Sequence, residues 1–348
     1  MLCVHYLHTL SLNESLTPLL STSAEMASFN YVLGLRAMST MAAVLGNASL
    51  AKRYNETAEV ATEKFHTAFW NPVYNEYGGD VGAIQSLTTP ALFINSPPAA
   101  LFPKVLQTLE NDLTTTTNYN PFIGAVTSKI LLNVLSDNGL HETALRTATM
   151  TTAPSWGYWW ARNSSTCWES WPLKEGHGSG TLNHIFLCGG IAEWMWKHLV
   201  GLTPTAPQFA EVALHPLVHP VEGPASVAGS FMSPRGLIAS AWKLGASGVD
   251  TVAVNISLPI GVQRATVVVP KPFQHSGDTA VSASGGGGSS TRSYNPVVTA
   301  TVSEGGVEVW DGEKLVGARA GISAAADVGD GIAFEVTNGV FAFVSAAA

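Results

Sequence analysis

Glu169 stands between Trp168 and Trp171 in a segment crowded with aromatic rings. That segment, Ala153 to Gly180, also holds Trp156, Trp159 and Trp160, so it carries half of the ten tryptophans in the protein. Indole faces suit sugars because they stack on the apolar C–H side of a pyranose ring. A carboxylate flanked by apolar rings is partly desolvated, a setting suited to proton transfer. Work on a glycosidic bond is one reading of these residues. The other is a tryptophan-rich plug over the end of a helical core, with Glu169 in an ordinary ion pair. Composition alone leaves the two level.

The remaining chemical residues offer less. Glu175 and His177 lie in a Gly-rich turn and are expected to be solvated. Glu193 is expected to orient its neighbours from a closing helix, and His215 and His219, each beside a proline, to pack at a domain junction. No HExxH, CxxC pair or acidic calcium loop occurs, so neither a metal nor a cofactor is expected. The GGGG run near residue 286 lacks the strand–helix context of a phosphate loop and reads as a flexible connection. Three cysteines cannot build a disulfide scaffold, and Cys167 and Cys188 are expected as buried free thiols.

The elements that must position Glu169 change character along the chain. From residue 25 to 200 apolar residues recur at three- and four-residue steps, as in Met26, Phe29, Leu33, Ala37 and Met41. Further helices are expected over Ser49 to Trp70, Gln85 to Phe93, Leu101 to Leu113, Ile123 to Leu135, His141 to Thr151 and Leu182 to Val200. Short turns between them make successive antiparallel hairpins. The connection from Ala153 to Gly180 is far longer than such turns, and long connections are usually functional. After Pro204, β-branched runs such as Val252 to Ile256 and Thr266 to Val269 imply short strands in an antiparallel sandwich.

Apolar residues make up 46% of the 348-residue chain and charged residues 12%, which marks a globular protein with room for two cores. The formal charge of −8 and the lack of a basic patch argue against nucleic acid. No apolar run reaches the roughly 18 residues of a membrane span. Sequons begin at Asn13, Asn47, Asn55, Asn163 and Asn255 and tilt the reading towards a secretory route, although the first ten residues make a poor signal peptide.

The order PSWGY (154–158), STCWESW (165–171), TLNH (181–184) and AEW (192–194) resembles glycoside hydrolase family 78, the bacterial and fungal α-L-rhamnosidases. SPRGLIASAW (233–242), SLPIGVQRATVVVP (257–270) and TNGVFAFV (337–344) are similar to the C-terminal β domain of that family. The resemblance runs from about Ser21 to Val344. It implies an α+β multidomain chain: a partial (α/α)6 toroid over residues 1–203, then an antiparallel β-sandwich over residues 204–348. It implies inverting hydrolysis of terminal α-L-rhamnosides, with an L-rhamnose-containing glycoside or polysaccharide as partner. It makes Glu169 the general base, His184 a hydrogen-bonding partner of bound rhamnose, and Trp156 and Trp168 weaker candidates for pocket wall or sugar contact.

One part of the family pattern is missing. The general acid of the family lies in an Asp-Cys-Pro-x-Arg-x-Glu-like motif, and nothing like it occurs in residues 1–348. About seven helices are expected where a closed double ring needs twelve. The chain is therefore expected to be truncated, to lack upstream domains of the same parent, and to be inactive alone. Two alternatives stand beside this one: a carbohydrate-binding protein without catalysis, and a hydrolase of the same toroid acting on another sugar.

Overall fold

The computed structural model describes residues 23–77, 84–171, 181–220, 222–246, 250–280, 290–317 and 319–348. It divides into two compact units, Met1–Ala192 and Glu193–Ala348.

The first unit is helical. α1 (Ser23–Val44) and α2 (Ala48–Phe69) form a hairpin. Gly46 makes the turn at φ +75°, a conformation that suits glycine, and the Asn47 Oδ1 caps α2 by accepting the Leu50 N–H at 3.0 Å. A small ribbon of β1 (Trp70–Asn71) and β2 (Glu76–Tyr77) follows. α3 (Ile84–Phe93) is buried from Gln85 to Leu92, so it has no solvent face and its polar groups must find partners inside. Gln85 supplies several. Its Nε2 donates to Asp112 Oδ2 at 2.9 Å and to Thr117 Oγ1 at 3.0 Å, while its Oε1 accepts the Phe122 N–H at 2.8 Å. α4 (Phe102–Asn111) runs into one wide turn over Asp112–Thr116.

The single helix expected over Ile123 to Leu135 is two helices, α5 (Ala125–Ser128) and α6 (Leu131–Asp137). At the break the backbone of Ser128 and Lys129 lies so close to Gly190 that any Cβ there would overlap it. α7 (His141–Thr149) and α8 (Trp156–Ala161) come next, α8 inside the segment expected as one long connection. The last helix, α9, spans Phe186–Trp194 and ends in a wide turn over Met195–Leu199, starting later than the expected Leu182.

In the second unit, one sheet has the order β12-β11-β15-β7-β6-β5 and the other β13-β14-β8-β4-β3. The first holds β5 (Ser226–Ser233), β6 (Gly236–Leu244), β7 (Thr251–Leu258), β11 (Ala300–Glu304), β12 (Val307–Trp310) and β15 (Gly339–Ala347). The second holds β3 (Leu202–Pro204), β4 (Glu211–Leu214), β8 (Arg264–Pro270), β13 (Ile322–Asp327) and β14 (Gly331–Val336). β9 (Phe273–Ala280) and β10 (Ser290–Pro296) pair as a separate ribbon. Among the described strands β4 and β8 run parallel and the other pairs antiparallel. Alternate residues of the two sheets interleave in one core that includes Trp242, Val254, Val267, Phe334 and Phe343. Phe334 and Phe343 stack across it at 5.0 Å. The Trp242 Nε1 donates to Leu199 O at 2.7 Å and Ser240 Oγ to Val200 O at 3.1 Å, tying the turn after α9 into this unit.

Candidate active site

The segment that carries Glu169 is built on α8. Ser155 caps the helix, accepting the Tyr158 N–H at 3.0 Å while its own hydroxyl donates to Met150 O at 2.7 Å. Gly157 sits where any Cβ would overlap the Met150 carbonyl oxygen. Trp156 is 7% exposed and its Nε1 donates to Leu187 O at 2.7 Å. The spacing P-S-W-G-Y is thus a local device: a cap, an anchor to α9 and a close backbone approach. Trp171 anchors the other end, donating from Nε1 to Ile123 O at 2.8 Å.

Four indoles form one floor. Trp159 stacks on Trp171 at 4.6 Å, Trp156 meets Trp171 edge-on at 5.2 Å, and Trp168 lies tilted against Trp159 at 5.9 Å. Trp156 and Trp168 are both buried. Trp160 points away and is 82% exposed.

Around Glu169 two extended stretches run side by side. The Glu169 N–H donates to Thr181 O at 3.0 Å and the His184 N–H to Cys167 O at 2.6 Å. Thr166 Oγ1 donates to Leu182 O at 2.6 Å. This pairing explains why α9 starts at Phe186: the backbone of 181–184 is already committed to residues 166–169. It also brings Glu169 and His184 onto one short ladder. The Thr181 N–H donates to Glu169 Oε2 at 2.7 Å. Glu169 Oε1 is buried with no hydrogen-bond partner among the described residues, and so is His184 Nδ1. Orphaned buried polar atoms are costly, and where they persist they point to a ligand or water. The His184 ring rests on Phe186 at 4.5 Å.

The cysteines correct the sequence reading. Cys167 and Cys188 are joined in a disulfide, with Cα atoms 6.0 Å apart, within the usual span. Free thiols are the expectation of the sequence because three cysteines cannot build a disulfide scaffold. The ladder and the first turn of α9 bring them together. Thr181 was also missed as a site residue: it acts through its backbone N–H, which leaves no mark on residue type. The available signal was its place at the head of TLNH.

Glu175 and His177 fall outside the described residues. Glu193 is exposed on α9. His215 does more than pack, since its Nε2 lies 2.9 Å from Asp330 Oδ2, and His219 Nδ1 accepts the Glu222 N–H at 3.1 Å. Elsewhere in the helical unit burial pushes the Tyr77 hydroxyl up to about 12, with an opposing hydrogen bond from Ser96 and a further rise from the charge of Glu25. Among the described residues no group of three or more His, Cys, Asp or Glu gathers as a metal site, and no helix is long and apolar enough to cross a membrane.

Comparison with known proteins bears on this arrangement. Residues 21–199 match the family model of the bacterial alpha-L-rhamnosidase 6 hairpin glycosidase domain. Residues 201–281 match that of the bacterial alpha-L-rhamnosidase C-terminal domain. Over 220 residues the chain is 27% identical to an alpha-L-rhamnosidase of Alteromonas sp. (strain LOR), covering 60% of this chain and 23% of that protein. The structure of an alpha-L-rhamnosidase from Dictyoglumus thermophilum superposes with a TM-score of 0.74 at 22% identity, covering 91% of this chain and 31% of that one. That of the Streptomyces avermitilis alpha-L-rhamnosidase, solved with L-rhamnose, gives 0.67 at 22% identity, covering 92% and 26%. The likeness to solved structures is one of fold, and the chain spans about a quarter to a third of these relatives.

Proposed function

We propose, given that the chain belongs to the bacterial α-L-rhamnosidase six-hairpin glycosidase family, that it carries the base side of an inverting hydrolysis of terminal α-L-rhamnosides. One observation carries the reading: a carboxylate with one oxygen tethered to the Thr181 N–H and the other buried without a partner among the described residues. The tether fixes the orientation of the group, and the unpartnered Oε1 of Glu169 accepts a proton from water. The resulting hydroxide attacks the anomeric carbon while the bond to the leaving oxygen breaks, which inverts the centre. His184, on the same ladder, donates or accepts a hydrogen bond at a sugar hydroxyl. Trp156 and Trp168 hold the floor on which the pocket rests.

Inversion needs a second carboxyl group about 6.5–9.5 Å from the first, leaving room for the water. In this reading that acid comes from further sequence of the same parent, since its motif does not occur here. α1 leaves Tyr31, Met41 and Val44 exposed, an apolar face that further hairpins would cover. Residues 1–203 are then the catalytic part and 204–348 a supporting sandwich, and the partner is an L-rhamnose-containing glycoside or polysaccharide.

The test is a rhamnoside assay on residues 1–348 and on a form extended upstream to a complete ring. Release of L-rhamnose by the extended form alone, lost on Glu169→Ala, is expected. Sugar binding without turnover by the extended form would favour a lectin-like protein, and turnover of a different glycoside would favour another sugar.

A further inference from the structure

The outer face of the six-stranded sheet has a feature that hydrolysis does not use. Asn255 sits mid-strand on β7 and is exposed, with Ala241 of β6 paired to it on one side and Ala342 of β15 on the other. Ala228 of β5 continues the same row beyond Ala241. Ser257 lies two residues on, and residues two apart on a strand point to the same face. The central strands of a sheet usually present β-branched or long side chains outward, which stabilise one another across strands. Here alanine methyls flank the amide, and its side chain makes no hydrogen bond among the described residues. The short side chains leave an open hollow of about 390 Å³ lined by Ala228, Ser230, Ala239, Ala241, Asn255 and Ser257. Around it Met232, Leu237 and Val340 are exposed at 70%, 48% and 78%, an apolar surroundings for a lone amide.

Asn255-Ile256-Ser257 is an N-x-S sequon, an acceptor for N-linked glycan. We propose that Asn255 is glycosylated and that the first sugars of the glycan occupy this hollow and cover the apolar face. In the transfer the Asn255 Nδ2 attacks C1 of the reducing-end N-acetylglucosamine on a polyprenyl-diphosphate-linked oligosaccharide. The N–C1 bond forms, the C1–O bond to diphosphate breaks, polyprenyl diphosphate leaves with the bonding pair, and the one proton lost by the amide passes to solvent. The Asn255 Oδ1 and one N–H remain, so the amide needs no partner from the sheet. The pyranose rings place their apolar C–H sides over the alanines and Val340, and their hydroxyls face water.

Two further observations support this chemistry. The other described sequon residues, Asn47, Asn55 and Asn163, are exposed as well. The helix cap at Asn47 uses Oδ1, which glycosylation leaves in place. A disulfide such as Cys167–Cys188 is of the kind that persists in oxidising compartments, and such glycans are added in a compartment of that kind.

The experiment is peptide mapping by mass spectrometry of the full chain, purified from the cells that encode it, with and without amidase release of glycans in heavy-oxygen water. Conversion of Asn255 to aspartate carrying the heavy label, only after release, is expected. An Asn255 peptide recovered without glycan overturns the proposal, including the case in which the chain instead pairs with a second copy through this face. Asn255→Gln, made in the same cells, separates attachment from covering. The variant is expected to bind an apolar fluorescent dye more strongly than the glycosylated chain, and unchanged dye binding overturns the covering role. Neither readout depends on hydrolytic activity, so the result is independent of the role of Glu169.

Discussion

At the scale of single residues the proposed function divides the work between Glu169 and His184. In the proposed mechanism Glu169 acts on the water only as the reaction proceeds, whereas His184 meets the sugar in the bound and reacting states alike. In a form with a complete ring, Glu169→Gln is expected to lower kcat by about 10²–10⁴ with little change in KM. His184→Ala is expected to act mainly by raising KM. Steady-state kinetics on both variants checks the division, and a Glu169→Gln enzyme that loses only affinity would put Glu169 on the sugar instead. The sequence singled out Glu169 as a candidate through its place between Trp168 and Trp171 together with the family resemblance of STCWESW. The different fates of the tryptophans were not legible there. Trp156, Trp168 and Trp171 are buried while Trp160 is open, and nothing in the residue type separates them.

At the scale of elements, the ladder of 166–169 against 181–184 brings the candidate residues Glu169 and His184 together, and the disulfide pins it to α9. Closing a loop of 21 positions is worth about 3 kcal/mol if chain entropy dominates. Cys188→Ser is therefore expected to lower the thermal midpoint of the helical unit, and reductant to do the same to the parent but not to the variant. Differential scanning with and without reductant reads this directly, and a parent insensitive to reductant would show that the bond contributes nothing. Helix existence was readable from three- and four-residue spacing, and α2 came out as Ala48–Phe69 against an expected Ser49 to Trp70. Helix ends were less so. Ile123 to Leu135 has unbroken helical periodicity, and its interruption lies where the backbone of Gly190, far along the chain, presses against it.

At the scale of the whole molecule one carboxyl in each unit is shifted, and in opposite directions. Burial raises the Asp112 carboxyl above its ordinary 3.8, against hydrogen bonds from Gln85 and Thr116 that pull it down. A carboxyl raised in the folded state contributes stability below its unfolded value and loses that contribution as pH rises through the folded one. Asp112→Asn imitates the protonated form, so it is expected to raise the midpoint of the helical unit at neutral pH and to lose that advantage below about pH 3.8. A lower midpoint at neutral pH would show that the charge is needed. Asp327 in the β unit behaves in the reverse sense. Burial raises it, but the Lys271 ammonium at 2.8 Å and the Gly329 N–H outweigh that and hold it low, so its contribution is lost on acidification.

The sequence by itself determined the chemical candidates and the kinds of element, because motif order, residue type and periodicity are properties of neighbours along the chain. It marked Glu169 and His184, the helical first part and the strand-rich second. Only the tertiary structure decided that Cys167 meets Cys188, that Thr181 tethers Glu169, that β4 runs parallel to β8, and that Asn255 stands alone among alanines. Each of these depends on groups brought together from distant positions, often through backbone atoms that every residue shares. A pairing of that kind has no local signature, and it is settled by which surfaces pack and which polar atoms are then left to satisfy one another.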